Sequence, residues 1–335
     1  MKTLALKVDV DTYRGTLEGV PRLVELFGKH GVRATFFFSL GPDTSGKAIK
    51  RVFRKGFVKK VLSASPAASY GLRTMLYGTL LPAPDIGGRS ETVARMREAA
   101  FAGHAVGIHA WDHIDWHDHL EAMSRTRIED VVAKEHARFR EIFGRPAEFQ
   151  AAPGWAATAL SVEVQESHGI VATSDTRGGA PFHALRADGT PSRVLEIPST
   201  LPTLDELLAL PLSGNGTQRE KACEFLRKRL REEEVAGEVS AKRAAGLVPL
   251  PHVHSIHTEI EGGPAFHRTF EEQLIGWKKD GVAFLTFEEL CTTLRFARTL
   301  AGNAREQREF PARRLSWTTL PGRATPVATG VPLPA

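Results

Sequence analysis

Two histidines stand four apart in Gly107-Ile108-His109-Ala110-Trp111-Asp112-His113, directly after the apolar residues Ala105, Val106 and Ile108. The apolar run reads as a buried strand, with His109 at its end and His113 on the turn that follows. Imidazole is the commonest metal ligand among side chains, so this pair offers two nitrogens to one divalent cation. A catalytic site needs a third ligand, usually a carboxylate, and an open position for water. Val8-Asp9-Val10-Asp11-Thr12 ends the first apolar run and supplies a candidate. Strand side chains alternate between faces, so Asp9 and Asp11 share one face and one cavity. Taken alone, a His-x-x-x-His spacing reads more often as two polar loop residues than as a site. The Asp-Val-Asp run and a later histidine, His257 in Ser255-Ile256-His257-Thr258-Glu259, reverse that balance.

Apolar periodicity and turn residues divide the chain into alternating strands and helices. Residues 4–10 read as a strand that ends in the aspartates. Residues 18–30 read as a helix, with Pro21 in its first turn and Val20, Leu23, Val24 and Phe27 on one face. Strands follow at 32–38 and 104–109, separated by a helix over 89–102 that stops at Gly103. A helix over 126–143 closes at Gly144. Short strands at 148–152, 170–173 and 193–197 flank a helix at 158–168. A long charged helix at 217–243, a strand at 247–256 and a helix–strand–helix unit over 265–299 complete the pattern. Strands alternating with helices imply parallel pairing and right-handed crossovers. Such units, repeated over about 300 residues, predict an α/β fold: a distorted (β/α) barrel of seven or eight strands, complete or incomplete. Asp9, Asp11, His109, Asp175 and His257 each fall at or just past the C-terminal end of an expected strand, the rim where such barrels build active sites. A doubly wound sheet is the rival. No phosphate loop and no Gly-x-Gly-x-x-Gly follows a strand, which argues against a nucleotide fold.

A chain of 335 residues, 42% hydrophobic, suits one large domain or two small ones and buries a core without staples. Cys223 and Cys291 lie far apart and make no metal or redox motif, which fits a reducing compartment. A net charge of +5 and a pI near 9.3 suit an acidic partner surface. No nucleic-acid motif is visible. No apolar signal region precedes Asp9, and no apolar run is long enough to span a bilayer. The expected location is the cytosol or, peripherally, the cytoplasmic face of the inner membrane.

Asp-x-Asp, His-x-x-x-His, Ala-Pro-Gly-Trp, Ser-Asp-Thr-Arg-Gly and Ile-His-Thr-Glu occur in this order. The set resembles the polysaccharide deacetylase superfamily of metal-dependent amidohydrolases over residues 4 to about 290. Longer stretches, Val-Asp-Val-Asp-Thr-Tyr-Arg-Gly-Thr, Phe-Phe-Phe-Ser-Leu-Gly-Pro-Asp and Ile-Pro-Ser-Thr-Leu-Pro-Thr, are similar to its deformylase branch. That branch removes formyl from an undecaprenyl-phosphate-linked formamido sugar destined for lipid A, a modification that protects against cationic peptides. The resemblance puts Asp11, His109 and His113 on a divalent metal ion (Zn, Mn or Co), makes Asp9 the base and makes His257 the acid that protonates the leaving nitrogen. A position outside the ligand shell is the plainer reading of Asp9, and a satisfied rim histidine that of His257. His254, three residues before His257, turns to the opposite face and reads as packing. Glu259 either orients His257 or touches the sugar. Many superfamily members pair the base with an Arg in the third motif, where this chain reads Gln150-Ala151-Ala152-Pro153-Gly154-Trp155. Arg177 is a candidate to replace that charge or to bind a substrate phosphate, against the plainer reading of a surface salt bridge. The Gly154 amide is a candidate oxyanion donor. Trp111 and Trp155 are candidates to stack on a sugar, with core packing as the alternative. Asp175 joins the candidate substrate residues.

Residues 44–84 form an insertion with Lys47, Lys50, Arg51, Arg54, Lys55, Lys59, Lys60 and Arg73 and no acidic residue. Ile49, Val52, Phe53, Phe57 and Val61 recur at helical spacing, which describes a helix lying in a membrane interface or a basic helix packed on the barrel. Residues 301–335, rich in Pro and Arg, read as a flexible tail beyond a catalytic domain over 1–300. The expected protein is a metal-dependent deformylase. The alternatives are a deacetylase of another N-acylated sugar and a membrane-binding module without catalysis.

Overall fold

The computed structural model describes residues 2–48, 71–243, 251–301, 310–321, 323 and 325–332. Its central element is β1 (Thr3–Val10), which pairs in parallel with β2 (Thr35–Ser39) on one side and β8 (His252–His257) on the other. β3 (Ala105–Ala110), β4 (Phe149–Gln150), β5 (Ala172–Thr173) and β7 (Leu195–Glu196) continue the sheet outward from β2, all parallel. β9 (Ala283–Leu285) joins the first residues of β1, which makes eight strands in the order β7-β5-β4-β3-β2-β1-β8 with β9 beside β1. No strand ladder joins β7 to β8 among the described residues. The backbone amides of Thr200 and Leu201, just past β7, instead donate to Val253 O of β8 at 3.0 and 3.2 Å. The barrel is therefore curled but incomplete, and its parallel strands are those that the alternation of strands and helices predicts.

Both faces of β1 are buried, for different reasons. Leu4, Leu6, Val8 and Val10 pack outward with Leu23, Phe27, Phe36 and Phe38 in the layer between sheet and helices. Helix α1 (Val20–His30) presents Val20, Leu23, Val24 and Phe27 to that layer, the face expected from its spacing. The other set of β1 points into the barrel. Ala5 there meets Phe37, Phe149, Ala172, Leu195 and Val253. Phe287, Leu290 and Leu294 of α9 (Phe287–Ala301) plug this end. Lys7 and Asp9 follow Ala5 on the same face, in register with Ser255 and His257 of β8. The apolar floor thus ends where the charged residues begin.

Three expectations are corrected or limited. The flexible tail over 301–335 carries two strands: β10 (Ala312–Thr318) and β11 (Val327–Pro332) form an antiparallel hairpin. β10 also pairs in parallel with β6 (His183–Ala184). Val327 and Ala328 are fully buried, and Leu315 packs on Val162, Phe182 and Ala184. Apolar alternation too weak to read along a Pro-rich segment becomes a strand once an edge is present to pair with. The strand expected at 148–152 shrinks to two residues because its later part turns away to form the Pro153–Trp155 turn. The helix expected within 47–62 lies largely outside the described residues. No helix among the described residues is long and apolar enough to cross a membrane.

Candidate metal centre

Asp112, between the two histidines, caps the helix that places the second of them. Its carboxylate accepts from the backbone amides of Ile114 and Asp115, both at 3.1 Å, and starts α3 (His113–His119). His109 ends β3 on the barrel side and His113 opens α3. Their rings come to 5.3 Å between centroids. Asp11 arrives from the loop after β1. His109 Nε2 lies 3.2 Å and His113 Nε2 3.7 Å from Asp11 Oδ1. One ligand atom from each of the three lies within 4.8 Å of the other two, close enough to hold one ion. Asp11 and His109 are buried and His113 is partly open. His109 Nδ1 donates to Ala151 O at 2.5 Å, which leaves the lone pair on Nε2, the atom facing Asp11. Burial raises the Asp11 carboxyl, but His113 and His109 outweigh it and hold it below the ordinary carboxylate range.

Asp9 stands beside this cluster. Its Oδ2 accepts from Lys7 Nζ at 3.0 Å, and its Oδ1 is buried without a hydrogen-bond partner, 4.0 Å from His109 Nδ1. Lys7 is fully buried and also lies 5.1 Å from the centre of the Trp155 ring. The cation missing from the third motif therefore comes from β1 itself, two residues before the base candidate. His257 enters from β8 opposite Asp9. Its backbone amide donates to Glu261 Oε2 at 2.8 Å. Burial lowers the His257 pKa, but Asp11, Asp205, Asp9 and Glu261 push it up to about 9. The orphaned oxygens of Asp9 and Asp11, together with the unpartnered Nδ1 of His257, give a buried polar cluster with more donors and acceptors than internal hydrogen bonds. Two imidazoles and a carboxylate with such an orphan fit a divalent cation.

The candidate substrate residues divide differently. Asp175 is buried and accepts from the Ala152 amide (2.7 Å) and Gln165 Nε2 (2.8 Å). Burial and the neighbouring Glu196 raise its pKa to about 8. It braces the turn that carries Gly154 rather than facing a substrate. Arg177 is no surface residue: its Nη1 donates to both oxygens of Glu206 at 3.0 Å, with both partners buried. Trp155 is buried too, its Nε1 donating to Ser199 Oγ and its ring within reach of Lys7, Arg177 and Arg323, so it packs in the core rather than presenting a face to a sugar. Trp111 stays half-buried, with Arg138 5.3 Å from its ring centre. Glu259 does not orient His257; it accepts from the Thr12 amide and hydroxyl and so fixes the residue after Asp11. Gly15 makes room for that carboxylate, which a Cβ there would strike. Gly154 adopts a left-handed φ of 58° with the His117 ring packed against it, a position no other residue fills without strain. His254 points outward and packs edge-on to Trp277, as expected. A surface cleft lined by Arg125, Glu163, Glu166, Arg186 and Arg193 shares no residue with the cluster, and its charges pair with one another.

Lys7, Glu261 and Arg323 are absent from the sequence-derived site. Lys7 carried a usable signal, a cation inside an apolar strand on the parity of the aspartates. Glu261 and Arg323 carried none.

Comparison with known proteins bears on the family and the fold. The polysaccharide deacetylase family model matches residues 2–173. A protein of Shewanella sediminis (strain HAW-EB3), named probable 4-deoxy-4-formamido-L-arabinose-phosphoundecaprenol deformylase ArnD, is 32% identical over 287 residues, 86% of this chain and 85% of that one. A protein of the same name from Wigglesworthia glossinidia brevipalpis is 27% identical over 92% of this chain and 96% of its own. Among solved structures, a probable polysaccharide deacetylase from Pseudomonas aeruginosa PAO1 superposes with a TM-score of 0.55 at 17% identity, covering 91% of this chain and 92% of the other. Puue allantoinase gives 0.55 at 16% identity, with 91% of each chain covered. The two structural likenesses carry the fold, and the first relative, at 32% identity over most of both chains, carries the family. The chain belongs to the polysaccharide deacetylase family of hydrolases.

Proposed function

We propose that the protein is a metal-dependent deformylase that hydrolyses the formamide of an undecaprenyl-phosphate-linked 4-deoxy-4-formamido-L-arabinose to formate and the free amine. The observation that carries this reading is the convergence of Asp11, His109 and His113 beside an Asp9 oxygen and a His257 nitrogen that have no protein partner. The names of the two relatives supply the substrate. Asp11, His109 and His113 would hold the ion, which supplies Lewis-acid activation of water and of the formyl carbonyl. Asp9 takes the proton of the attacking water through Oδ1, while Lys7 fixes its other oxygen. His257, whose pKa the surrounding carboxylates push up to about 9, would give its proton to the leaving nitrogen as the C–N bond breaks. The Gly154 amide would serve as a donor to the developing oxyanion.

The test is incubation of metal-loaded protein with formamido- and acetamido-arabinose phospholipids. Formate release is expected. Acetate without formate would favour the deacetylase alternative, and no release from metal-loaded protein would overturn the reading. Elemental analysis of His109→Ala and His113→Ala should show metal lost along with turnover; equal metal content in wild type and His109→Ala removes its core.

The acid-free basic sequence of 44–84 supports docking on an anionic membrane surface, where such a substrate resides. Replacing Lys50, Arg51, Arg54 and Lys55 with Gln should weaken sedimentation with anionic liposomes and leave a soluble substrate turned over normally. Unchanged sedimentation would sink the docking idea.

A further inference from the structure

The C-terminal hairpin brings a charge to the site that the catalytic reading does not use. Arg323, in the turn between β10 and β11, lies 4.6 Å from the centre of the Trp155 ring. Arg177 lies 4.7 Å from the same ring. Both guanidiniums share one carboxylate: Arg323 Nη1 donates to Glu206 Oε1 at 3.2 Å, and Arg177 Nη1 donates to both Glu206 oxygens. Glu206 is occupied further by the Thr203 amide at 3.0 Å, the cap of α6 (Leu204–Leu208). Counting Lys7, three cations surround Trp155, and among the described residues their directly bonded anions are Asp9 and Glu206. Asp205 adds a carboxylate only at longer range and from an exposed position. Like charges held together at low exposure repel, and Arg323 indeed works against the charge on Arg177. Arg323 Nε is buried without a partner. A guanidinium with an idle donor beside a second guanidinium is the donor chemistry that recognises a phosphate.

The place is also right. Trp155 follows Gly154, and Lys7 links its ring to Asp9. Thr325, two residues past Arg323, comes to 3.5 Å from Nε2 of His117, which sits one helical turn beyond His113. Arg323 is thus linked to the metal cluster through Trp155, Lys7 and Asp9. In a 4-formamido glycosyl phosphate the amide and the phosphate stand at opposite ends of one sugar ring.

We infer that Arg323 and Arg177, delivered to Trp155 by the C-terminal hairpin and by the loop after β5, form an anion subsite that takes the phosphate ester of the substrate. The inference deepens the deformylase reading and rests on it for the identity of the ester, but not for the binding of phosphate.

The test uses the full-length, metal-loaded protein. Methyl phosphate binding is measured by calorimetry in wild type, Arg323→Gln and Arg323→Lys, with folding checked by thermal melts. Affinity should fall about tenfold or more in Arg323→Gln, the loss expected for a charge-assisted pair, and less in Arg323→Lys. In turnover, Arg323→Gln should raise KM for a formamido sugar phosphate and leave kcat, and should not change either constant for the phosphate-free formamido sugar. A purely structural Arg323 would impair both substrates alike, which overturns the subsite. Equal methyl phosphate affinity in wild type and Arg323→Gln also overturns it. Arg323-dependent phosphate binding without formate release would keep the subsite and remove the deformylase reading. A variant that loses anionic vesicles but keeps methyl phosphate would make this a lipid-headgroup contact, against the inference.

Discussion

Asp9 divides its carboxylate between two tasks: Oδ2 is held by Lys7 and Oδ1 is kept unpaired toward His109. A base needs such an arrangement, because an oxygen already saturated by protein donors has no lone pair for a substrate proton. Asp9→Asn should therefore keep most of the metal and lose about 10²–10⁴-fold in kcat. Asp11→Asn should lose metal first. Metal analysis beside turnover separates the two, and the reverse pattern would exchange their roles. Lys7 acts one residue further out. Removing one partner of a buried ion pair costs about 3–5 kcal/mol, so Lys7→Met should be destabilised by that order in chemical denaturation and slow in kcat. Lys7→Arg keeps a charge at that position and should recover most of both. If Lys7→Met keeps full kcat, Lys7 is only a strut beneath Trp155.

At the scale of elements, the site depends on how β3, β4 and α4 (Arg125–Phe143) are locked together. Glu135 of α4 is fully buried and accepts from the Trp111 amide at 2.7 Å and from Gln150 Nε2 at 3.1 Å. It fixes the chain between His109 and His113 from behind. Burial pushes its carboxyl up to about 8 from an ordinary 4.5. The folded state then binds the proton more tightly than the unfolded one. The stabilisation is complete below about pH 4.5 and is lost as pH rises through about 8. Glu135→Gln cannot ionise, so its thermal midpoint relative to wild type should climb between about pH 5 and pH 9. Melts across that range check it; a flat difference would mean that Glu135 is already ionised in the fold.

For the whole molecule, the hairpin of β10 and β11 decides whether the barrel is a finished unit. It covers Phe182 through Leu315, brings Trp317 against the layer of Ala110 and Trp116, and ties Arg323 to Glu206. Deleting 310–335 removes the fully buried Val327 and Ala328 and this ion pair. A loss of at least about 3 kcal/mol is expected from the exposed apolar surface alone. The candidate metal ligands lie just past β1, on β3 and at the start of α3, so the truncated chain, while folded, should still bind an ion at wild-type stoichiometry. Loss of metal in a folded truncation would show that the hairpin shapes the centre itself.

The order of strands and helices, the parity that puts Asp9 and Asp11 on one face, and the histidine pair after β3 were all legible in the residues. Each is a local pattern: alternation, helical spacing, a pair of histidines at a strand's end. The incomplete closure of the barrel, the pairing of Lys7 with Asp9, the bracing roles of Asp175 and Glu259, and the burial of Arg177 and Trp155 were not. They depend on which distant segments meet: β1 with β8 and β2, the Thr203 turn with the loop after β5, and a Pro-rich end with the edge offered by β6. A sequence states how a residue is spaced from its neighbours. Whether a charge there faces a substrate, a metal or another charge is set by the partners that folding brings to it.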